Sequence, residues 1–159
     1  MKVPSEIKHY ASNAQHYLDA AGMFPEPINP AVEILLLITG WENIIIADKK
    51  LSEMASGLKI DTKVLKDHET KLNEIDENSR ISRVIVGPPG KGIPAVTTDF
   101  KTGAELKRLR QICMFGDPTE SHDLKYVFRK YWHTDNFSRG LRNKIKWTEM
   151  LIKIYEELA

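Results

Sequence analysis

Residues 31–49 read AVEILLLITGWENIIIADK, and this stretch decides the fold. Ile34, Leu35, Leu36, Leu37 and Ile38 precede Glu42, and Ile44, Ile45 and Ile46 follow it. A helix that is apolar on most faces has to be wrapped by other elements. The carboxylate at its centre needs partners, because an unpaired buried charge costs several kcal/mol, roughly. The elements that wrap this helix are therefore expected to bring cationic or proton-donating side chains to Glu42.

Asn29-Pro30 starts the helix, with Pro suited to the first helical position, and Gly57 is its expected stop. Gly40 lies inside it and points to close packing of a neighbouring helix. Before it, Ile7, Tyr10, Ala14, Tyr17, Leu18 and Ala21 recur at helical spacing, with Ser5 as the expected cap and Gly22 to Pro27 as the end. After it, Asp61 is expected to cap one helix over 61–76, with Val64, His68 and Leu72 on a single stripe.

ISRVIV at 81–86 and IPAVTT at 93–98 are extended in pattern, and GPPGKG at 87–92 is rich in turn residues. Residues 81–98 therefore read as a short hairpin or an ordered loop. Thr102-Gly-Ala-Glu105 is a capping box opening a helix through Leu106, Leu109, Ile112 and Cys113. Leu124–Trp132 reads as a short helix. Asp135 or Asn136 is expected to cap a last helix to about Leu158, with Leu141, Ile145, Met150, Leu151, Ile154 and Tyr155 as its apolar residues. The sum is an all-α single domain over residues 1–159. It has four to five main helices and one irregular or hairpin excursion near 80–100.

The chain is 42% hydrophobic and 28% charged, with a net charge of +1, so its overall charge argues for neither nucleic acid nor membrane. The single Cys113 excludes an internal disulfide, fits a reducing compartment and reads as inert packing. MKVPSEIKHY at the start has no apolar signal region. The apolar run bracketed by Glu33 and Glu42 falls short of the about 20 residues of a bilayer span. A cytoplasmic protein without membrane contact is expected.

Two constellations carry chemistry. Glu42, His68 and Arg110 each sit in an apolar helical context. Together they form either a catalytic set or a buried network that fixes helix register. A basic segment contains Lys125, Arg129, Lys130, Arg139, Arg142, Lys144 and Lys146, interleaved with Tyr126, Phe128, Tyr131, Trp132, His133 and Phe137. Lys125, Arg129, Lys130, His133, Arg139 and Arg142 are its candidate nucleic-acid contacts; the plain alternative is a solvated helix face with core aromatics. GPPGKG lacks the spacing and the Ser or Thr of a Walker loop and reads as a turn. His9 and His16 lack metal-ligand spacing, so neither a metal nor any other cofactor is expected.

Three segments in order resemble the AbiV abortive-infection family within the HEPN class of helical domains. Glu42-Asn-Ile-Ile-Ile46-Ala47 matches its Glu-Glu-Leu-Gly-Lys-Ala element, with Ile46 in the lysine position. His68-Glu-Thr-Lys71 is similar to its His-x-x-Lys element. Leu109-Arg110-Gln-Ile-Cys-Met-Phe115-Gly-Asp117 is similar to its Leu-Arg-x-x-Ala-Leu-Tyr-Val-Asp element. The resemblance implies a HEPN-like bundle and a homodimer that blocks phage multiplication. The leading expectation is binding of a phage protein or RNA. A metal-independent endoribonuclease is the second expectation, and a structural helical module the third. Nuclease members use Arg-x(4–6)-His, whereas no histidine here has an arginine five to seven residues before it. An enzyme of this chain would use His68 or His133 with Arg110 or Arg129, for example Arg110 and His68 brought together from different helices.

Overall fold

The computed structural model describes residues 2–23, 30–87, 90, 92, 95–116 and 129–158, with the side chains of Arg129 and Lys130 excepted. Its helices are α1 (Ser5–Gly22), α2 (Pro30–Ser56), α3 (Thr62–Lys66), α4 (His68–Leu72), α5 (Gly103–Phe115) and α6 (Asp135–Glu157). Three strands, β1 (Ile81–Val86), β2 (Val96–Phe100) and β3 (Arg129–His133), form an antiparallel sheet in the order β2-β1-β3. The chain is thus mainly helical with a small sheet: β1 and β2 form the hairpin expected near 80–100, and β3 adds a third strand that the all-α reading does not include.

α2 is the axis of the core. Ile34, Leu37, Ile38, Trp41, Ile44, Ile45, Ala47 and Leu51 are all buried along it. α1 lays Ile7, Ala11, Ala14, Leu18 and Ala21 against it, alternating spacings of four and three that keep one face inward. Gly40 is the point of closest approach. A Cβ there would lie 2.9 Å from Leu141 Cδ2 of α6 and 3.4 Å from the Ala14 carbonyl oxygen of α1. Trp41 Nε1–H donates to the Phe137 carbonyl at 3.0 Å and ties the start of α6 to α2.

By length and composition α2 is long and apolar enough to cross a membrane. Its 27 residues continue beyond the run that sequence inspection counted as too short. The apolar faces are turned into the protein by α1, α5 and α6, as expected of a core helix.

Four local expectations are corrected. Ser5 and Asp135 are the first residues of their helices and not caps; Pro4 and Thr134 occupy the cap positions without side-chain cap bonds. The helix expected over 61–76 is two short helices, split at Asp67, whose φ −93° and ψ 120° are extended. The helix expected over 124–132 is a strand where it is described, since Arg129–His133 pairs with β1. Residues 124–128 lie outside the described residues. Tyr131 and Trp132 are good strand formers. Their alternation puts Tyr131 outward and stacks Trp132 on Phe100, with ring centroids 6.1 Å apart. On α6 the buried stripe is Phe137, Leu141, Ile145, Thr148 and Ile152, and Met150 and Ile154 are exposed.

The capping box of α5 is formed in full: Thr102 Oγ1 accepts the Glu105 N–H, and the Glu105 carboxylate accepts the Thr102 N–H. The next residue, Gly103, is pressed onto α4, and a Cβ there would lie 2.3 Å from the Glu69 carbonyl oxygen. Thr102→Ala should lower stability by about 1 kcal/mol. Gly103→Ala should lower it by about 1–3 kcal/mol, because backbone must move to admit the methyl group. Urea unfolding midpoints of both variants check the ranking; a neutral Gly103→Ala would mean that α5 is not seated on α4 as described.

Candidate functional site

The partners that Glu42 requires come from α4 and α5. The Asp67 side chain accepts the Thr70 N–H at 2.9 Å and the Thr70 hydroxyl at 2.5 Å. This cap starts a new helix at His68 and turns the first face of α4 toward α2. His68 and Lys71 are three residues apart and therefore share that face. α5 is docked by Gly103 N–H, which donates to Asn73 Oδ1 at 2.7 Å. Leu106 and Leu109 of α5 are buried, and Arg110 follows at the edge of the core.

Three side chains converge on the carboxylate. His68 Nδ1 lies 2.6 Å from Glu42 Oε2, and Lys71 Nζ lies 3.1 Å from the same oxygen. Arg110 Nε lies 3.7 Å from Oε1, an ion pair too long to be a hydrogen bond. An ionised carboxylate only accepts, so Nδ1 of His68 carries the proton that faces it and Nε2 is the other end of the ring. Among the described residues Nε2 has no hydrogen-bond partner.

The cluster has a closed end and an open end. The side chains of Glu42 and Lys71 are each 8% exposed, whereas Arg110 is 28% and His68 40% exposed. Buried charge is matched inside, and an imidazole and a guanidinium meet solvent. Glu42, His68 and Arg110 are thus in contact through the carboxylate, although their sequence positions are far apart. Sequence reasoning named Lys71 only as a motif residue and missed its place in this network. The signal was its position three residues after His68, on the same helical face.

The basic segment is distributed differently. Lys125 and Asp117 lie outside the described residues, and Arg129 and Lys130 contribute backbone to β3. Arg142 is exposed on α6, and Lys144 pairs with Asp48 at 3.2 Å. His133 and Arg139 line a groove of about 430 Å³ with Arg80, Ser82 and Asn136. Asp99 and Asp135 also line it, so its charge is mixed. The basic segment is therefore divided, where it is described, between β3, which ends at His133, and α6, which begins at Asp135.

Among the described residues no group of three His, Cys, Asp or Glu side chains is placed to hold a metal ion. Cys113 packs at the edge of the core, and burial pushes its thiol up to about 11.

No protein-family model matches the chain, and no solved structure matches it. An 82-residue stretch, 52% of the chain, is 32% identical to a polyribonucleotide nucleotidyltransferase from Oleidesulfovibrio alaskensis. The match covers 11% of that protein's length.

The cap that positions His68 is pH-sensitive. Hydrogen bonds from the Thr70 hydroxyl and then the Thr70 N–H hold the Asp67 carboxyl below its ordinary value of 3.8. A depressed carboxylate adds stability that is complete above its unfolded value and is lost as pH falls through the folded one. Asp67 should therefore titrate below 3.8 in a carboxyl NMR titration, and Thr70→Ala should return it toward 3.8. An unchanged midpoint in Thr70→Ala would refute the hydroxyl hydrogen bond as the main cause.

Proposed function

We propose that the Glu42 cluster is a phosphate-binding and proton-transfer site for RNA, in a protein of the abortive-infection kind that its motifs resemble. One observation carries this reading. A carboxylate 8% exposed holds Nδ1 of an imidazole whose side chain is 40% exposed. A buried acceptor that orients an open imidazole is the arrangement a general base needs.

Charge supports the same ligand. Glu42 is neutralised by Lys71, which leaves the Arg110 charge in excess before His68 is protonated. Arg110 is only loosely held at 3.7 Å, so its donors can turn to a phosphate. In this reading Nε2 of His68 takes the proton of a ribose 2′-hydroxyl. The O2′–P bond forms and the P–O5′ bond breaks, with water supplying the proton to the 5′ oxygen. Arg110 stabilises the charge on the phosphorane. No metal takes part in these steps. The partial match to a protein named as acting on polyribonucleotides agrees with an RNA ligand.

A second reading keeps binding of RNA or a phage protein and drops cleavage. It is favoured by the completeness of the Glu42–Lys71 pair without any ligand, and by the absence of Arg-x(4–6)-His spacing. The deciding experiment is incubation of end-labelled RNA with the purified protein in excess chelator. The wild type should cleave, and His68→Ala should cut the rate by about 100-fold or more. Absence of cleavage by the wild type removes the enzyme and leaves binding. Cleavage at full rate by His68→Ala removes this site.

The resemblance also implies a homodimer. Trp147, Met150 and Ile154 lie on one face of α6 and are 54%, 43% and 42% exposed. A second copy covering this stripe would bury apolar area that a monomer leaves in water. Light scattering should give twice the chain mass, and Trp147→Asp should reduce it to one. A wild-type monomer at high concentration would refute the dimer.

A further inference from the structure

We propose that Lys71 is a positioning residue: it determines which ring nitrogen of His68 carries the proton. The inference rests on the reading of His68 as a base, and it is argued from a group that cannot reach substrate. Lys71 has a side chain 8% exposed, on the closed side of the cluster. Its ammonium and His68 Nδ1 share one oxygen, Glu42 Oε2, at 3.1 and 2.6 Å.

That sharing sets the direction of the histidine hydrogen bond. A neutral imidazole has one donor and one acceptor nitrogen. Against an ionised carboxylate, Nδ1 must donate, and Nε2 is left as the basic nitrogen at the open end. Against a protonated carboxyl, Nδ1 can accept, and Nε2–H then faces solvent with no lone pair for a substrate proton. The Lys71 ammonium, 3.1 Å from Oε2, disfavours a proton on that oxygen, because the proton would sit next to a fixed positive charge.

Among the described residues the other charged groups facing Glu42 are His68 itself on α4 and Arg110 on α5. Arg110 is more exposed and more distant, and it approaches the other oxygen, so water screens its charge more. Lys71 is therefore the group that keeps Glu42 an acceptor. It also supplies a buried cation in a chain that carries Ile46 one helical turn after Glu42.

The test is nitrogen NMR of the His68 ring in ¹⁵N-labelled full-length protein, at a pH where the imidazole is neutral. In the wild type, Nδ1 should show the protonated, pyrrole-type resonance and Nε2 the pyridine-type one. Lys71→Met should let the pair take up one proton from solvent, so that Nε2 becomes protonated and loses its pyridine-type resonance, as the opposite tautomer or as an imidazolium, and RNA cleavage should slow by about tenfold or more. Lys71→Gln serves if the methionine variant does not fold, since it keeps a polar end in the same space. A wild-type ring protonated on Nε2 overturns the proposal, as does a folded variant that keeps the wild-type tautomer. These ring measurements need no RNA. They judge Lys71 even if the wild type proves unable to cleave, the result that defeats the base reading instead.

Discussion

The structure depends on one constraint: a carboxylate placed in the middle of the most buried helix has to be neutralised from outside that helix. Along α2 the positions four residues either side of Glu42, Ile38 and Ile46, offer it nothing, and the Asn43 amide donates to the Thr39 carbonyl instead. Its partners therefore arrive from two other elements, both from the chain that follows α2. Lys71 takes the interior side, and His68 and Arg110 take the side toward solvent. This division explains how the site is closed and open at once. Charge compensation needs only one buried cation, so the remaining two are free to face water.

The surrounding backbone is shaped to keep that arrangement. Asp67 interrupts what would otherwise be a continuous helix from Thr62 to Leu72, and the interruption gives α4 a direction independent of α3. α5 is set against α4 by a glycine with no room for a side chain and by the Asn73 hydrogen bond to its backbone. Arg110 lies two turns beyond that contact, where small tilts of α5 would change its distance to Glu42. The docking of Gly103 and the reach of Arg110 are thus one structural fact seen at two points of a single helix.

Much of this was legible in the sequence, for identifiable reasons. α2 declared itself by its apolar run, its start by Pro30, and its close neighbours by Gly40, because each signal is local. The capping box at Thr102 and Glu105 was local as well. Glu42, His68 and Arg110 stood out because polar residues on apolar stripes are conspicuous. Lys71 did not, since a lysine on a short polar helix is normally solvated. The break at Asp67 was hidden by Val64, His68 and Leu72, which keep helical spacing across it. An Asp side chain that captures the next turn's N–H competes with the helix in a way that periodicity cannot reveal. β3 was missed because its pairing with β1 is remote in sequence, and the tyrosine and tryptophan that favour a strand also fit a helical stripe.

The energetic balance of the Glu42–Lys71 pair bears on why it exists. Replacing a buried ion pair with well-packed apolar residues is often neutral or stabilising, whereas removing one partner is costly. The surroundings here, Ile38, Ile45, Ile46 and Leu72, are apolar and buried, and would accept such a replacement. Stability alone therefore gives little reason to keep a carboxylate and an ammonium at this point. What the pair provides that two leucines would not is a fixed acceptor beneath an exposed imidazole. The cluster's cost falls on its closed end, its contact with solvent lies at its open end, and the shared oxygen of Glu42 joins the two.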